Sequence, residues 1–225
     1  MKKLIILAAL CLILKPLMAQ KVVEKHMSFA QKESVNLDIQ IADSIVVHTW
    51  DKDEVYAKAS IDINDNKDND LYLTEFDDSS NVLRVTAKFK ENLKGHCSMQ
   101  SNIAWDVFIP KSASCRVKTI SGNVSVYGPA GSLDVHTISG NVIITGKATD
   151  VEAHSISGFV DLTVSPDKKA DLEFKSISGT IYTDYELKNP VKNKPGSTKV
   201  ADQMNGGGAK IALATISGNI YFRTK

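Results

Sequence analysis

The chain has 225 residues, and its 27 basic and 26 acidic side chains leave a formal net charge of +1. This even balance excludes the strongly basic surface that nucleic-acid-binding proteins carry. We therefore expect no nucleic-acid partner.

The first 19 residues have the pattern of a secretory signal peptide. Lys2 and Lys3 precede an apolar run over residues 4–14, and Ala19 offers a small residue for cleavage. The run is too short for a membrane span, and no second apolar segment follows it. We predict an exported protein that resides in the periplasm, on the outer-membrane surface or outside the cell.

Lipidation is the alternative for this segment, and it would use Cys11. Cys11 lies inside the apolar run, however, and bulky Leu10 stands where a lipoprotein needs a small residue. Cleavage after residue 19 removes three lysines and changes the formal charge from +1 to −2.

Residues 20–110 form a predicted β region without clean repeats. Strand-like runs occupy residues 44–50, 54–63, 71–76, 82–89 and 104–109. Asp51-Lys52-Asp53 joins the first two runs and is a hairpin signal. Residues 41–45 resemble one copy of the repeat described next, with Asp43 in place of glycine, which predicts a worn terminal coil.

A short motif recurs five times in residues 111–225: a hydroxyl residue, Ile-Ser-Gly, one variable residue, and Val or Ile. Its glycines are separated by 18, 18, 21 and 39 residues. A period this short cannot hold a folded domain, so each copy is one coil of a stacked solenoid. The repeated residues are isoleucines Ile120, Ile138, Ile156, Ile177 and Ile216, and glycines Gly122, Gly140, Gly158, Gly179 and Gly218.

The residues around the motif predict the fold class. Apolar residues alternate with period two on both sides of Ile-Ser-Gly, which is typical of two short strands with one buried face each. We predict an all-β, single-stranded parallel β-helix of 18–21 residues per coil, right-handed as parallel crossovers are. The five isoleucines are expected to form one buried ladder, and the glycines to occupy bends with φ > 0.

Two other solenoids with 18-residue coils do not fit. A left-handed hexapeptide helix needs a small apolar residue every six positions, but stepping from Ile138 reaches Asp150. The calcium-binding nonapeptide roll needs paired glycines, and each copy here has one. The 39-residue spacing equals one coil plus 21 residues, and a loop is predicted at about 186–208.

Two cysteines remain after cleavage, Cys97 and Cys115, and they are one coil apart. An oxidising compartment would permit a disulfide. Cys115 also occupies an inward apolar column, where a free buried thiol is ordinary. Both alternatives stay open, and the apolar column favours the thiol.

The outward positions carry the candidate chemistry. His136 and His154 fall on adjacent coils beside carboxylates, a pattern compatible with a weak metal site, although flanking lysines favour a solvated face. The carboxylate column of Asp134, Glu152 and Glu173 is the only one compatible with a polysaccharide-active enzyme, and no cleft is evident around it. We predict no catalytic site, no metal and no cofactor.

A second outward column is richer in aromatic residues and gives the candidate contact site: Ile143, Phe159, Tyr182 and Tyr221. If the 21-residue insertion loops out, Tyr182 and Tyr221 become neighbours. Aromatic side chains in a row can contact sugar rings or a partner's apolar surface. Cross-strand pairing that only stabilises the sheet is the alternative.

The repeat, the segment Trp50-Asp51-Lys52-Asp53-Glu54-Val55 and the segment Phe108-Ile109-Pro110-Lys111 resemble the putative-adhesin family of bacterial β-strand-repeat envelope proteins. This is a domain-of-unknown-function family, and the nearest rival is the head domain of autotransporter-like adhesins. The signal peptide resembles those of Bacteroidota. The resemblance implies a secreted β-helix with no agreed ligand and no catalytic motif.

These patterns predict a non-catalytic secreted interaction module of the cell envelope that contacts a surface glycan or another envelope protein. The alternative is a structural or regulatory periplasmic solenoid that self-associates through an open edge left by its last strand. The remote alternative is a polysaccharide-active β-helix enzyme.

Overall fold

A computed structural model describes residues 20–91, 99–128, 131–189, 192–194 and 196–225. The predicted signal peptide and Cys97 lie outside these residues. Within the described ranges, no helix is long and apolar enough to cross a membrane.

The all-β prediction is confirmed by eighteen strands and one short 3-10 turn, Asn69–Leu71, in the described chain. The strands of the N-terminal half are β1 Lys21–Ser28, β2 Ser34–Ile39, β3 Ile41–Trp50, β4 Glu54–Ile63, β5 Tyr72–Asp77, β6 Val82–Phe89 and β7 Ser101–Pro110. The remaining strands are β8 Ser114–Tyr127, β9 Leu133–Ser139, β10 Val142–Thr145, β11 Val151–Ser157, β12 Val160–Val164, β13 Ala170–Ser178, β14 Ile181–Thr183, β15 Lys192–Lys194, β16 Ser197–Met204, β17 Ala209–Ser217 and β18 Ile220–Thr224.

The strands pair into two runs that share β8. The first sheet has the order β5-β6-β2-β8-β9-β11-β17-β13-β16-β15. The second sheet has the order β1-β4-β7-β3-β8-β10-β12-β18-β14. Each copy of the motif therefore joins a strand of the first sheet to a strand of the second, and the copies pair in parallel and in register. The hand of the coil stays a prediction.

The fifth copy of the repeat does not lie at the end of the stack. β17 pairs with β11 on one side and β13 on the other, and β18 likewise lies between β12 and β14. The C-terminal coil is thus inserted between the third and fourth coils. The expectation of an open edge at the last strand is wrong because β18 is paired on both sides.

The predicted loop at 186–208 contains strand structure. β16 pairs antiparallel with β13 and extends the first sheet by one strand, and β15 pairs with β16. Buried Val200 and Met204 contribute to the core from this segment. Their alternation was hidden by the Lys, Asn, Pro and Gly residues around them.

The N-terminal half begins the same stack. β2 and β3 pair in parallel with β8, so residues 34–50 lie in the stack beside the first copy of the motif. The predicted alignment of residues 41–45 with the motif is off by one at its start: Ile41 pairs with Ser121 and not with Ile120, and an irregularity between Ile41 and Ser44 brings Ile45 opposite Val124. The hairpin predicted at Asp51-Lys52-Asp53 is wrong: β3 and β4 are not paired, and β7 lies between them. A local turn signal could not reveal a partner strand fifty residues away.

The isoleucine ladder faces solvent, contrary to prediction. The five isoleucines are 37–48% exposed, whereas the hydroxyl residue before each is at most 6% exposed. Alternation in β9 places Leu133, Val135 and Thr137 inward and Ile138 outward. In three copies the inward hydroxyl donates to a corner glycine carbonyl: Ser155 to Gly140 at 2.8 Å, Thr215 to Gly218 at 2.8 Å, and Ser176 to Gly218 at 3.0 Å. Thr119 donates instead to the Ser121 carbonyl at 3.1 Å, and the buried Thr137 hydroxyl has no hydrogen-bond partner among the described residues, so these bonds account for part of the reversal.

The glycines stand at a corner where neighbouring coils nearly touch. A Cβ atom on Gly158 would lie 2.1 Å from the Gly140 carbonyl oxygen, and one on Gly218 would lie 2.0 Å from that of Gly158. The next residue links the coils through its side chain when it is asparagine. The Asn141 Oδ1 accepts from the Phe159 backbone N–H at 3.1 Å, and the Asn219 Oδ1 accepts from Thr180 at 2.9 Å.

Cys115 carries a free, buried thiol. Burial, with a smaller contribution from Asp134, raises the pKa of this thiol to about 12. Since the thiolate is the nucleophile, we expect Cys115 to resist iodoacetamide in the native protein and to react after unfolding in guanidinium. Mass spectrometry of the modified peptides measures both rates, and equal rates would contradict the burial.

Candidate functional site

The C-terminal end of the second sheet brings three of the predicted contact residues together on its outer face. The Tyr182 and Tyr221 rings are stacked with centroids 5.2 Å apart and planes 11° apart. Phe159 meets Tyr221 edge-on at 5.9 Å and 86°. These three residues form the C-terminal aromatic cluster. Their contact depends on the insertion of β18 beside β14.

Ile143 lies on the same face but outside the cluster. It pairs with Asp161, and Asp161 pairs with Tyr221, so one strand separates Ile143 from the tyrosines. Ile143 is partly buried. Its place in the site is therefore at the margin, where it continues the surface away from the rings.

A charged pair lies beside the cluster. The Arg223 guanidinium donates to the Asp161 carboxylate through Nε at 2.9 Å and through Nη2 at 3.0 Å. The same guanidinium lies 5.3 Å from the Tyr221 ring centroid. The hydrogen bond from Arg223 to Asp161 raises the pKa of the guanidinium, so the cluster carries a fixed cation and anion next to its rings.

A second set of aromatic residues on this face was missed by the sequence interpretation. Five of its members are successive cross-strand partners on β1, β4, β7, β3 and β8, and Trp50 lies beside them. In that strand order the five residues are His26, Tyr56, Phe108, His48 and Tyr127. These six residues form the N-terminal aromatic row. Ring centroids of successive members are 4.5 to 6.1 Å apart.

The stacking decides which ring surfaces a ligand can reach. Inside the N-terminal row each ring covers part of the next, so these contacts chiefly stabilise the sheet. Tyr182 differs because β14 is an edge strand among the described residues, paired only with β18. Tyr182 is 50% exposed and Tyr127 is 41% exposed. An outer ring face is therefore available at Tyr182.

The outer face of the first sheet carries the charged columns. His136 lies 2.6 Å from Asp134 between Nε2 and Oδ1, and Arg116 binds the other oxygen of that carboxylate at 2.6 Å. The His136 and His154 rings are 5.8 Å apart and nearly perpendicular. Burial and the neighbouring His136 lower the pKa of His154. Among the described residues, no group of three or more His, Cys, Asp or Glu side chains is placed to hold a metal ion.

The carboxylate column considered for catalysis is interrupted. Glu152 and Glu173 are both paired with Ala212 of β17, so the inserted strand separates them. Asp202, in the segment predicted as a loop, accepts backbone hydrogen bonds from Lys188 at 2.6 Å and Gln203 at 2.8 Å. Burial raises the pKa of Asp202, but these donors outweigh it and the net shift is downward. Asp202 therefore anchors the chain between β14 and β16.

A solved structure shares this architecture. A putative cell adhesion protein from Clostridium sporogenes aligns with a TM-score of 0.65 at 10% identity over 92% of this chain and 100% of its own, which shows a common fold. A putative adhesin from Bacteroides fragilis (13% identity, 91% and 98% of the chains, TM-score 0.33) and a putative lipid binding protein from Parabacteroides distasonis (12%, 91% and 96%, 0.28) align too weakly to carry an argument.

No curated protein matches the chain. The family model described as Toastrack DUF4097 matches residues 106–223, from β7 through the last strand. The match contains all five copies of the motif and both strands of the inserted coil. Because it spans more than half of the 225 residues, the chain belongs to the Toastrack DUF4097 family.

Proposed function

We propose that this chain is a non-catalytic, exported protein of the cell envelope, a right-handed parallel β-helix that presents the outer face of its second sheet to a surface glycan. The observation that carries the proposal is the half-exposed ring of Tyr182 on an edge strand, stacked on Tyr221. An aromatic ring with one open face offers a sugar ring a flat apolar surface at low cost in conformational entropy.

The charged pair supplies the polar contacts that such a site needs. The fork of Arg223 donates hydrogen bonds and the Asp161 carboxylate accepts them, so sugar hydroxyls of either orientation find a partner beside the rings. The Clostridium sporogenes protein that shares the fold bears the name of a cell adhesion protein, which supports an adhesin-like role.

The double substitution Tyr182→Ala/Tyr221→Ala tests this proposal. We expect the purified protein, residues 20–225, to bind at least one glycan on an array, and the double variant to lose binding about tenfold or more. The loss follows from removing two aromatic contacts, each of about 0.5–1.5 kcal/mol beyond its area burial. Titration of the array ligand by calorimetry gives the affinity.

Tyr127→Ala is the matched control because it removes an exposed tyrosine from the same face, three strands from β18. Its binding should stay within about twofold of the unmodified protein, and both variants should melt near the parent temperature. Unchanged affinity in the double variant would end the proposal.

Self-association through an open edge loses its original support, since β18 is internal. The last strand of the second sheet, β14, has three residues, and β16 is partly covered by β15. Short or covered edges are how native sheets avoid pairing with other chains. The edge strands at the other end of the two sheets, β1 and β5, carry charged side chains (Lys21, Glu24 and Lys25; Glu75 and Asp77), which also disfavour pairing with another chain. We therefore expect sedimentation to give a monomer.

A further inference from the structure

The exposed isoleucines form a continuous apolar line on the protein surface. They follow one another on β8, β9, β11, β17 and β13, the adjacent strands of the first sheet. The members of this isoleucine ridge are Ile120, Ile138, Ile156, Ile216 and Ile177. At about 4.8 Å per strand the ridge is roughly 19 Å long.

The ridge stands at the edge where the first sheet turns toward the second. Each isoleucine comes two residues before the corner glycine, and the exposed serine between them leads directly into the turn. Because the line lies where the chain turns from one sheet to the other, and both the isoleucines and the serines after them are exposed, we take this edge to be convex. A convex apolar line can insert into an apolar layer such as a lipid surface, whereas it cannot enclose a small ligand.

The residues beside the ridge carry positive or neutral side chains. The row on the sheet side consists of Lys118, His136, His154, Ala214 and Lys175. The row on the corner side consists of the five serines of the motif, Ser121, Ser139, Ser157, Ser217 and Ser178. Carboxylates on these five strands begin one row further away, at Asp134, Glu152 and Glu173, and Asp38 of the neighbouring β2 pairs with Lys118 at the end of the basic row.

A second copy of the chain is a poor occupant for this surface. A stable protein interface buries about 800 Å² per partner, and five side chains that are each less than half exposed fall well short of that area. A narrow apolar line flanked by lysines instead matches the pattern of surfaces that lie in a bilayer interface, with the apolar side chains below the headgroups and the cations among them.

We propose that the isoleucine ridge and its basic row seat the protein on a phospholipid surface that carries anionic headgroups. The isoleucines insert side by side into the boundary of the acyl chains, and Lys118 and Lys175 contact headgroup phosphates. The aromatic clusters lie on the other sheet and stay free in this orientation, so membrane seating and glycan binding are separate properties that separate variants test.

Co-sedimentation with vesicles tests the proposal. Residues 20–225 are mixed with vesicles of phosphatidylcholine alone and of phosphatidylcholine with phosphatidylglycerol. We expect binding to the second and about tenfold weaker binding to the first, because headgroup charge and apolar burial act together. The variant Ile138→Thr/Ile156→Thr/Ile216→Thr should lose binding by about tenfold or more, since threonine keeps the strand propensity and removes the apolar ends.

Two further variants sharpen the result. Lys118→Gln/Lys175→Gln should weaken binding to the anionic vesicles only. Val22→Thr is the matched control, because Val22 is an exposed β-branched residue on β1 of the second sheet, and this variant should bind as the unmodified protein does. Circular dichroism confirms that each variant is folded.

Absence of binding to either vesicle overturns the proposal, and so does full binding by the folded triple isoleucine variant. Concentration-dependent dimers that the triple variant abolishes would overturn it too, in favour of a second copy on the ridge.

Discussion

Replacing Gly158 with alanine is expected to lower the free energy of unfolding by about 2–6 kcal/mol, the sum of backbone strain and overpacking of about 1–3 kcal/mol each. Gly158 has φ +148°, and its added Cβ would lie 2.1 Å from the Gly140 oxygen and 2.7 Å from the Gly140 carbonyl carbon. Both atoms belong to backbone that is hydrogen-bonded in the stack, so neither can move independently. Urea unfolding followed by circular dichroism measures the loss.

Gly196 provides the control for that substitution. It also has positive φ, +81°, but a Cβ there meets nothing within 4 Å. Gly196→Ala should therefore cost only the strain of a left-handed backbone, about 1–2 kcal/mol. Equal losses at Gly158 and Gly196 would show that the coils do not approach each other at the corner.

Phe222→Ala is expected to cost about 3–5 kcal/mol, the usual range for truncating a fully buried aromatic side chain. Phe222 is completely buried in the inserted coil and contacts the Phe174 ring at 5.0 Å between centroids. Its removal leaves a cavity between the third and fourth coils, where strands on both sides hold the walls apart. Thermal unfolding of the variant gives the magnitude.

Ile156→Ala is the comparison that separates an inward from an outward isoleucine. Because Ile156 is 37% exposed, its truncation should cost about 1 kcal/mol, mostly lost strand propensity and partial burial. A loss at Ile156 as large as that at Phe222 would return the isoleucines to the core.

The register of the repeats was readable from the sequence because identical residues must stack when coils pair in parallel. β4 and β6 begin and end at the predicted residues, because buried and more exposed residues alternate along both strands. Hydrophobicity alone could not predict that Ile120 and its equivalents face solvent. A serine or threonine one residue earlier takes the inward place, and in three of the five copies its hydroxyl donates to the glycine carbonyl of the corner.

The candidate site was predicted in part. The contact between Tyr182 and Tyr221 could be predicted by leaving the 21-residue insertion out of the repeat. The N-terminal aromatic row could not be found that way, because His48 and Phe108 come together only through the parallel pairing of β3 with β7. Because β3 and β7 are far apart in the sequence, no local pattern indicates that they pair, and neither strand carries the repeat.

The order of the coils underlies the contact of the tyrosines, the interrupted carboxylate column and the continuous ridge. The fifth coil follows the fourth in the sequence, but in the structure it lies between the third and the fourth. Folding of the fourth coil against the third therefore requires the C-terminal strands, β17 and β18, as the spacer between them.

Disulfide formation between engineered cysteines tests this order most directly. In a Cys97→Ser background, Glu152→Cys/Ala212→Cys places two thiols on paired neighbours of β11 and β17, whereas Glu152→Cys/Glu173→Cys places them on strands separated by β17. Two strand spacings are about 9.6 Å, beyond the roughly 7 Å between Cα atoms that a disulfide can bridge. We expect mild oxidation to cross-link the first pair rapidly and to leave the second reduced. Cross-linking of Glu152→Cys with Glu173→Cys, and not with Ala212→Cys, would contradict the insertion of the fifth coil between the third and fourth. It would also contradict the tyrosine contact, the interrupted carboxylate column and the continuous ridge, which depend on that insertion.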